Sequence, residues 1–285
     1  DLAMQTALPL ATDALRVEPL DSALGAEISG IDLSKSLDAV TSVALQDAFR
    51  TYRLLLIRDP NVTPESQAAF ARVFGDIQIR QDYDVGLSKD VDTQYVSNER
   101  DDGILGLGEL EFHCDQLFQD DPLKALILYA IEIPESGSVT SFCDTVKVYD
   151  SLPEDLKRRL ADKSCMHLYD FKGAYADFQD QKTATPGSPR ANHPMIYADP
   201  ETGDRAIWVN RLTTIRVNEL PPAESKSLIA EVRGYLNNDA CIYRHHWQAG
   251  DFLIWNNRLL QHAREPFDEA APRTLRRTPI ITASG

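Results

Sequence analysis

Apolar positions in SLDAVTSVALQDAFRT, residues 37–52, recur every three to four residues. That spacing gathers them on one face and predicts a helix. RLLLIRD, residues 53–59, is an apolar run too short for a helix and predicts a buried strand. Thr63 followed by Pro64 marks a second helix start, running through QAAFARVFG. A hydroxyl there accepts a backbone N–H, and proline's missing donor costs nothing at the first helical position.

The rest of the chain is richer in strands. RVEPLDSALGAEISGIDL (16–33) reads as short strands broken at Gly25 and Gly30. Residues 76–112 are polar and glycine-dotted, which predicts loops and short strands in a lid-like insertion. ALILYAIEIP (125–134) predicts a strand, and VYDSLPEDLKRRLAD (148–162) a helix starting near Pro153. Residues 171–192 show little periodicity and read as a second lid-like insertion. Residues 193–210 predict a hairpin turning at 199–203, residues 221–238 a helix, and residues 241–257 another hairpin turning at 249–251. No internal repeat or low-complexity linker divides the chain. The expectation is one domain over 1–285, mostly β with flanking helices, its core a double-stranded β-helix (jelly roll).

Charge narrows the partners. A net charge of −15 argues against nucleic acid and anionic membrane, which both call for clustered cations. It leaves room for a small anionic substrate in a local basic pocket. No run reaches the length of a membrane-spanning helix, and the first residues lack the cationic and apolar blocks of a signal peptide. The four cysteines are scattered without a C-x-x-C, which fits reduced thiols and a cytoplasmic location.

Candidate chemistry starts at FHCDQLF, residues 112–118. Among the six histidines only His113 opens an H-x-D, with Asp115. On a strand, residues two apart share a face, so imidazole and carboxylate would stand side by side. A third ligand from another strand would complete a two-histidine, one-carboxylate triad with open positions on iron. Further on, WNNRLLQH ends at His262, with Arg273 eleven residues later and Arg277 fifteen.

With those motifs in this order the sequence resembles the TauD/TfdA family of Fe(II)- and 2-oxoglutarate-dependent dioxygenases. GAEISGIDL, AFARVFGDI, PESGSVTSFCD and AIWVN resemble further family segments, so the likeness runs from about residue 16 to about 280. The resemblance implies that His113, Asp115 and His262 bind Fe(II). It implies that Arg273 and Thr140 hold the distal carboxylate of 2-oxoglutarate, and that O2 is the oxidant. The implied reaction couples decarboxylation of 2-oxoglutarate to succinate with hydroxylation of an unactivated C–H. Desaturation, epoxidation or ring closure on the same scaffold, and a non-catalytic jelly-roll binding protein, stay open as alternatives.

For the substrate, the resemblance points to Arg277, Arg80, Tyr83 and Glu109, and to a small anionic or zwitterionic molecule. Two positions depart from or qualify the pattern. Ser138 stands where the family's G-G-x-T segment has its second glycine, and Cys114 between the two proposed ligands reads as packing. The intact carboxylate of Asp115 favours hydroxylation over halogenation, since related halogenases have a small residue there. His193, His245 and His246 lack the context of a site; His245 and His246 read as strand residues with one side exposed, His167 as structural or part of a lid, and Trp247 and Trp255 as core. Family members are often dimers or tetramers, so a homo-oligomer is an expectation of the resemblance.

Overall fold

The computed structural model describes residues 15–20, 24–59, 61–78, 94–104, 108–170 and 185–283. In chain order they form β1 (Arg16–Pro19), β2 (Ala26–Ser29), α1 (Ala39–Tyr52), β3 (Leu54–Arg58), α2 (Pro64–Ala71), β4 (Asp76–Ile77), β5 (Gln94–Ser97), β6 (Gly103–Ile104) and β7 (Leu110–His113). Then come β8 (Ala125–Glu132), β9 (Val139–Asp144), α3 (Thr145–Ser151), α4 (Glu154–Leu160), β10 (Ser164–Leu168), β11 (Arg190–Pro194), β12 (Ile196–Ala198), β13 (Arg205–Ile207) and β14 (Thr214–Val217). The chain ends with α5 (Pro222–Tyr235), β15 (Ile242–His246), β16 (Asp251–Asn256), β17 (Leu260–Arg264) and β18 (Thr274–Ile281).

Two sheets position the site. The larger runs β1-β2-β3-β16-β8-β18-β5-β6, with β4 also on β18; the smaller runs β15-β9-β17-β7. Alternation along β3 shows why its sequence is apolar throughout. Leu54 and Leu56 point to the smaller sheet, where they meet Phe142 and Leu260. Leu55 and Ile57 point outward and are covered by Leu45 and Phe49 of α1 and Phe70 of α2. Both faces are buried, so no polar alternate is tolerated. β8 and β16 follow the same rule over most of their length, so 125–130 is a continuous buried run, and β8 becomes exposed only at Ile131 and Glu132. On the far side of the smaller sheet, α3, α4 and α5 cover Cys143 and Ile242. This is the mostly β, helix-flanked jelly-roll arrangement that the sequence predicts.

Both early helices start as the residues dictate. Asp38 caps α1, accepting Thr41 N–H at 2.7 Å. Thr63 and Ser66 form a reciprocal capping box at α2, with Pro64 in its first turn.

Some expectations need correction. Residues 241–257 are not a hairpin: β15 pairs β9 in the smaller sheet, whereas β16 lies between β3 and β8 in the larger. The turn is real, with Asp251 N–H donating to Gln248 O at 3.0 Å, but it carries the chain from one sheet to the other. The 148–162 segment holds parts of two helices, α3 and α4, separated by Leu152 and Pro153. As predicted, the described residues of 76–112 hold short strands, of which β4 and β5 pair β18, β6 pairs β5 and β7 pairs β17, with turns between them. Residues 79–93 and 171–184, which include Arg80, Tyr83 and most of the second predicted insertion, lie outside the described residues. The 193–210 hairpin is present as β12 and β13. Every cysteine is free and buried. No helix among the described residues is long and apolar enough to cross a membrane.

Candidate metal centre and its cavity

His113 ends β7, and His262 sits directly opposite it on β17. Their rings lie 4.2 Å apart, centroid to centroid. Asp115 does not reach them by strand alternation, because the strand stops at His113 and Asp115 opens a turn. Its place is set by Asn257 instead. Asp115 N–H donates to Asn257 Oδ1 at 2.8 Å, and Asn257 Nδ2 donates to Asp115 O and Leu123 O, each at 2.9 Å. Gln116 then takes a left-handed conformation, φ 61°, that turns the chain away. A non-glycine residue held there marks a constrained site.

Hydrogen-bond polarity shows what the three side chains are arranged for. His113 Nδ1 lies 2.7 Å from Glu111 O, a carbonyl that can only accept. In the neutral imidazole this leaves Nε2 as a lone pair. That Nε2 faces Asp115 Oδ1 at 3.1 Å, and His262 Nε2 faces the same oxygen at 3.5 Å. One possible ligand atom from each of the three residues thus lies within 4.8 Å of the others. Such a set is stable around a cation. Two imidazole nitrogens and a carboxylate oxygen suit a first-row divalent metal such as Fe(II).

Electrostatics agree. Burial opposes the charge of Asp115, but Arg277 at 2.6 Å and the two imidazoles outweigh it and hold the carboxyl well below its usual range. Burial first, and the neighbouring His113 second, push His262 down to about 3, so its imidazole stays neutral and free to ligate. Cys114 points elsewhere, into a cluster with Leu117 and Trp208. Burial, with a smaller contribution from the Asp115 charge, pushes its thiol up, as packing requires.

The triad opens on a cavity that Leu126, Leu128, Thr140, Trp255, Arg264, Arg273 and Arg277 also line. Strand periodicity explains the arginines: Arg273, Leu275 and Arg277 are alternate residues, and Leu275 packs between the two sheets. On the facing sheet Thr140 lies opposite Arg264. Thr140 Oγ1 accepts a bond from Trp247 Nε1 at 2.9 Å, and indole can only donate, so the threonine proton is left for another acceptor. Arg273 is 3% exposed and, among the described residues, has no carboxylate partner. Burial, with Arg264 nearby, pushes its pKa down to about 9, which makes the site short of a negative charge. Arg277 is held between Asp115 and Gln94. A separate surface hollow beside α1, lined by Arg50, Lys124 and Glu201, contains none of these groups.

The structure therefore brings together His113, Asp115, His262, Thr140, Arg273 and Arg277. Glu109 is exposed and is not on the cavity wall, which its neighbour Leu110 lines. Sequence reasoning passed over Asn257, although the WNNR motif signals it. In that motif Trp255 lines the cavity and Asn256 accepts the Arg258 and Leu259 N–H groups. Asn257 clamps Asp115, and Arg258 donates to Pro122 O at 2.7 Å. Gln94 and Trp247 carried no signal beyond ordinary polar or core positions, and Ser138 stood out only as a departure from the family's glycine, because their partners at the site, Arg277, Thr140 and Arg273, are distant in sequence.

Comparison with known proteins agrees with this geometry. The family described as "Taurine catabolism dioxygenase TauD, TfdA family" matches residues 16–278. An (S)-phenoxypropionate/alpha-ketoglutarate-dioxygenase of Sphingobium herbicidovorans is 29% identical over 92% of this chain and 93% of its own. An alpha-ketoglutarate-dependent sulfate ester dioxygenase of Pseudomonas putida is 31% identical over 93% of this chain and 89% of its own. The crystal structure of a taurine dioxygenase from Burkholderia xenovorans shares the fold, with a TM-score of 0.80 at 24% identity, covering 94% of this chain and 89% of that one. The chain belongs to the TauD/TfdA family of dioxygenases, enzymes that work with Fe(II), 2-oxoglutarate and O2.

Proposed function

We propose that the protein hydroxylates an unactivated C–H of a small anionic molecule, with His113, Asp115 and His262 holding Fe(II) and with Thr140 and Arg273 holding the distal carboxylate of 2-oxoglutarate. The observation that carries this reading is the convergence of two imidazoles and a carboxylate in one cavity with a buried arginine that has no carboxylate partner among the described residues. Bound iron, 2-oxoglutarate and O2 supply the oxidising chemistry, in which 2-oxoglutarate leaves as succinate and CO2 and one oxygen atom goes to the substrate.

The chain's own residues do the rest. The Glu111 carbonyl fixes the His113 tautomer, and Asn257 fixes the Asp115 backbone, so ligand geometry is set before metal arrives. Arg273 offers a planar fork and Thr140 a hydroxyl proton to a carboxylate. Apolar Val96, Leu110, Leu126 and Leu128 line the same cavity and keep water from competing.

Arg277 supports an anionic substrate, because it presents a fixed cation beside the triad. The (S)-phenoxypropionate and sulfate ester of the two relatives also carry negative groups. Glu109, exposed and off the wall, gives no support for a cationic group on the substrate.

Succinate release, measured with Fe(II) against a panel of aryloxyalkanoates, sulfate esters and sulfonates, tests the proposal. An anionic member should give succinate in step with a product heavier by one oxygen atom, and its neutral methyl ester or amide should not. Equal turnover of the neutral analogue would overturn the anionic assignment, and a product lighter by two hydrogens would overturn hydroxylation.

A further inference from the structure

The serine that replaces the family's second glycine has a defined partner. Ser138 is buried, and its Oγ accepts Arg273 Nε–H at 3.0 Å. Its backbone is held as well: Trp247 N–H donates to Ser138 O at 3.0 Å, and Trp247 Nε1 donates to Thr140 two residues on. Gly137 before it sits at φ 84°, a conformation that suits glycine. The hydroxyl is therefore presented from a fixed backbone.

A guanidinium can meet a carboxylate along two edges, through Nε with one Nη or through both Nη atoms. All its nitrogens are donors, so an Nε–H already given to Ser138 is unavailable for the first mode. The Arg273 guanidinium lies 5.4 Å from the centre of the Phe267 ring, which restrains its plane. Without the hydroxyl, a buried Nε–H loses its acceptor and the group has reason to turn.

We propose that Ser138 is a positioning residue for Arg273: by taking Nε–H it commits the guanidinium to receive the distal carboxylate of 2-oxoglutarate end-on, through its two Nη atoms. This rests on the reading above that Arg273 receives that carboxylate.

Binding rather than turnover tests it. The Fe(II)-loaded protein is titrated anaerobically, by calorimetry, with 2-oxoglutarate and with 2-oxopentanoate, which has a methyl group where the distal carboxylate would be. Ser138→Ala and Ser138→Gly, the latter restoring the family's residue, should each raise the 2-oxoglutarate Kd by roughly tenfold, and leave that of 2-oxopentanoate within about twofold. Ser138→Thr, which keeps a hydroxyl, should recover most of the loss. Equal weakening of both ligands indicates a merely structural role and overturns the proposal, as does no change for either. Arg273→Met reports on the underlying reading separately: it should abolish the preference for 2-oxoglutarate. A preference that survives in Arg273→Met places the carboxylate elsewhere, whatever the serine variants do.

Discussion

Asn257 grips the backbone of Asp115 from both sides, accepting its N–H at 2.8 Å and donating to its carbonyl at 2.9 Å. It is fully buried, and its three side-chain bonds, two to Asp115 and one to Leu123, are all intramolecular. Asn257→Ala should therefore lower stability by about 3 kcal/mol, since buried partners are left unsatisfied. It should also weaken Fe(II) binding by roughly ten- to a hundredfold, because a ligand's support is lost while the ligand stays. Chemical denaturation of the apo-protein and a metal titration measure the two effects. Loss of stability with unchanged metal affinity would mean that Asp115 finds its place without the clamp.

Arg277 is the second test. Its guanidinium bridges Asp115 and Gln94 on the cavity wall. Arg277→Met should raise KM for the true substrate by roughly ten- to a hundredfold, the cost of removing a charge-assisted bond from an anion. The Kd of 2-oxoglutarate should move little. Steady-state kinetics with a separate cosubstrate titration distinguish the two. A variant that loses 2-oxoglutarate as well would show that Arg277 serves the cosubstrate pocket.

A third prediction concerns pH and lies away from the site. His167 is fully buried, with Nδ1 3.2 Å from Thr214 Oγ1, and burial drives its pKa well below the usual value. Burial also lowers His193, whose ring is 5.8 Å away. A depressed histidine binds fewer protons folded than unfolded. Its stabilising contribution is whole above about pH 6.5 and declines as pH falls below that, by up to about 1.4 kcal/mol per pH unit for each group. Urea denaturation at pH 7 and pH 5 should show the loss, and His167→Gln should flatten the slope. An unchanged slope in the variant would remove His167 from the account.

How far the sequence could be read follows from where the information sits. Thr63 and Pro64 announce α2 because a capping box is local, and the apolar 53–59 run announces β3 because both its faces are covered. Strand partners are not local. The turn before Asp251 is legible, but whether it closes a hairpin depends on β9, about a hundred residues upstream, taking β15 for the other sheet. The triad's members were legible as motifs, yet the reason Asp115 reaches the histidines was not. It comes from Asn257, 142 residues away, and not from strand alternation. Ser138 likewise looks like a departure from a glycine pattern until Arg273 is seen against it.

The most direct test of the metal centre is an anaerobic titration. Fe(II) is added to the apo-protein, then 2-oxoglutarate, and the weak visible charge-transfer band of the chelate is followed, with His262→Ala as control. The account predicts a band that saturates near one equivalent of iron per chain and is absent from a folded His262→Ala. A band that persists in that variant, or none at all in the folded parent protein, would contradict the assignment of His113, Asp115 and His262 as the iron site.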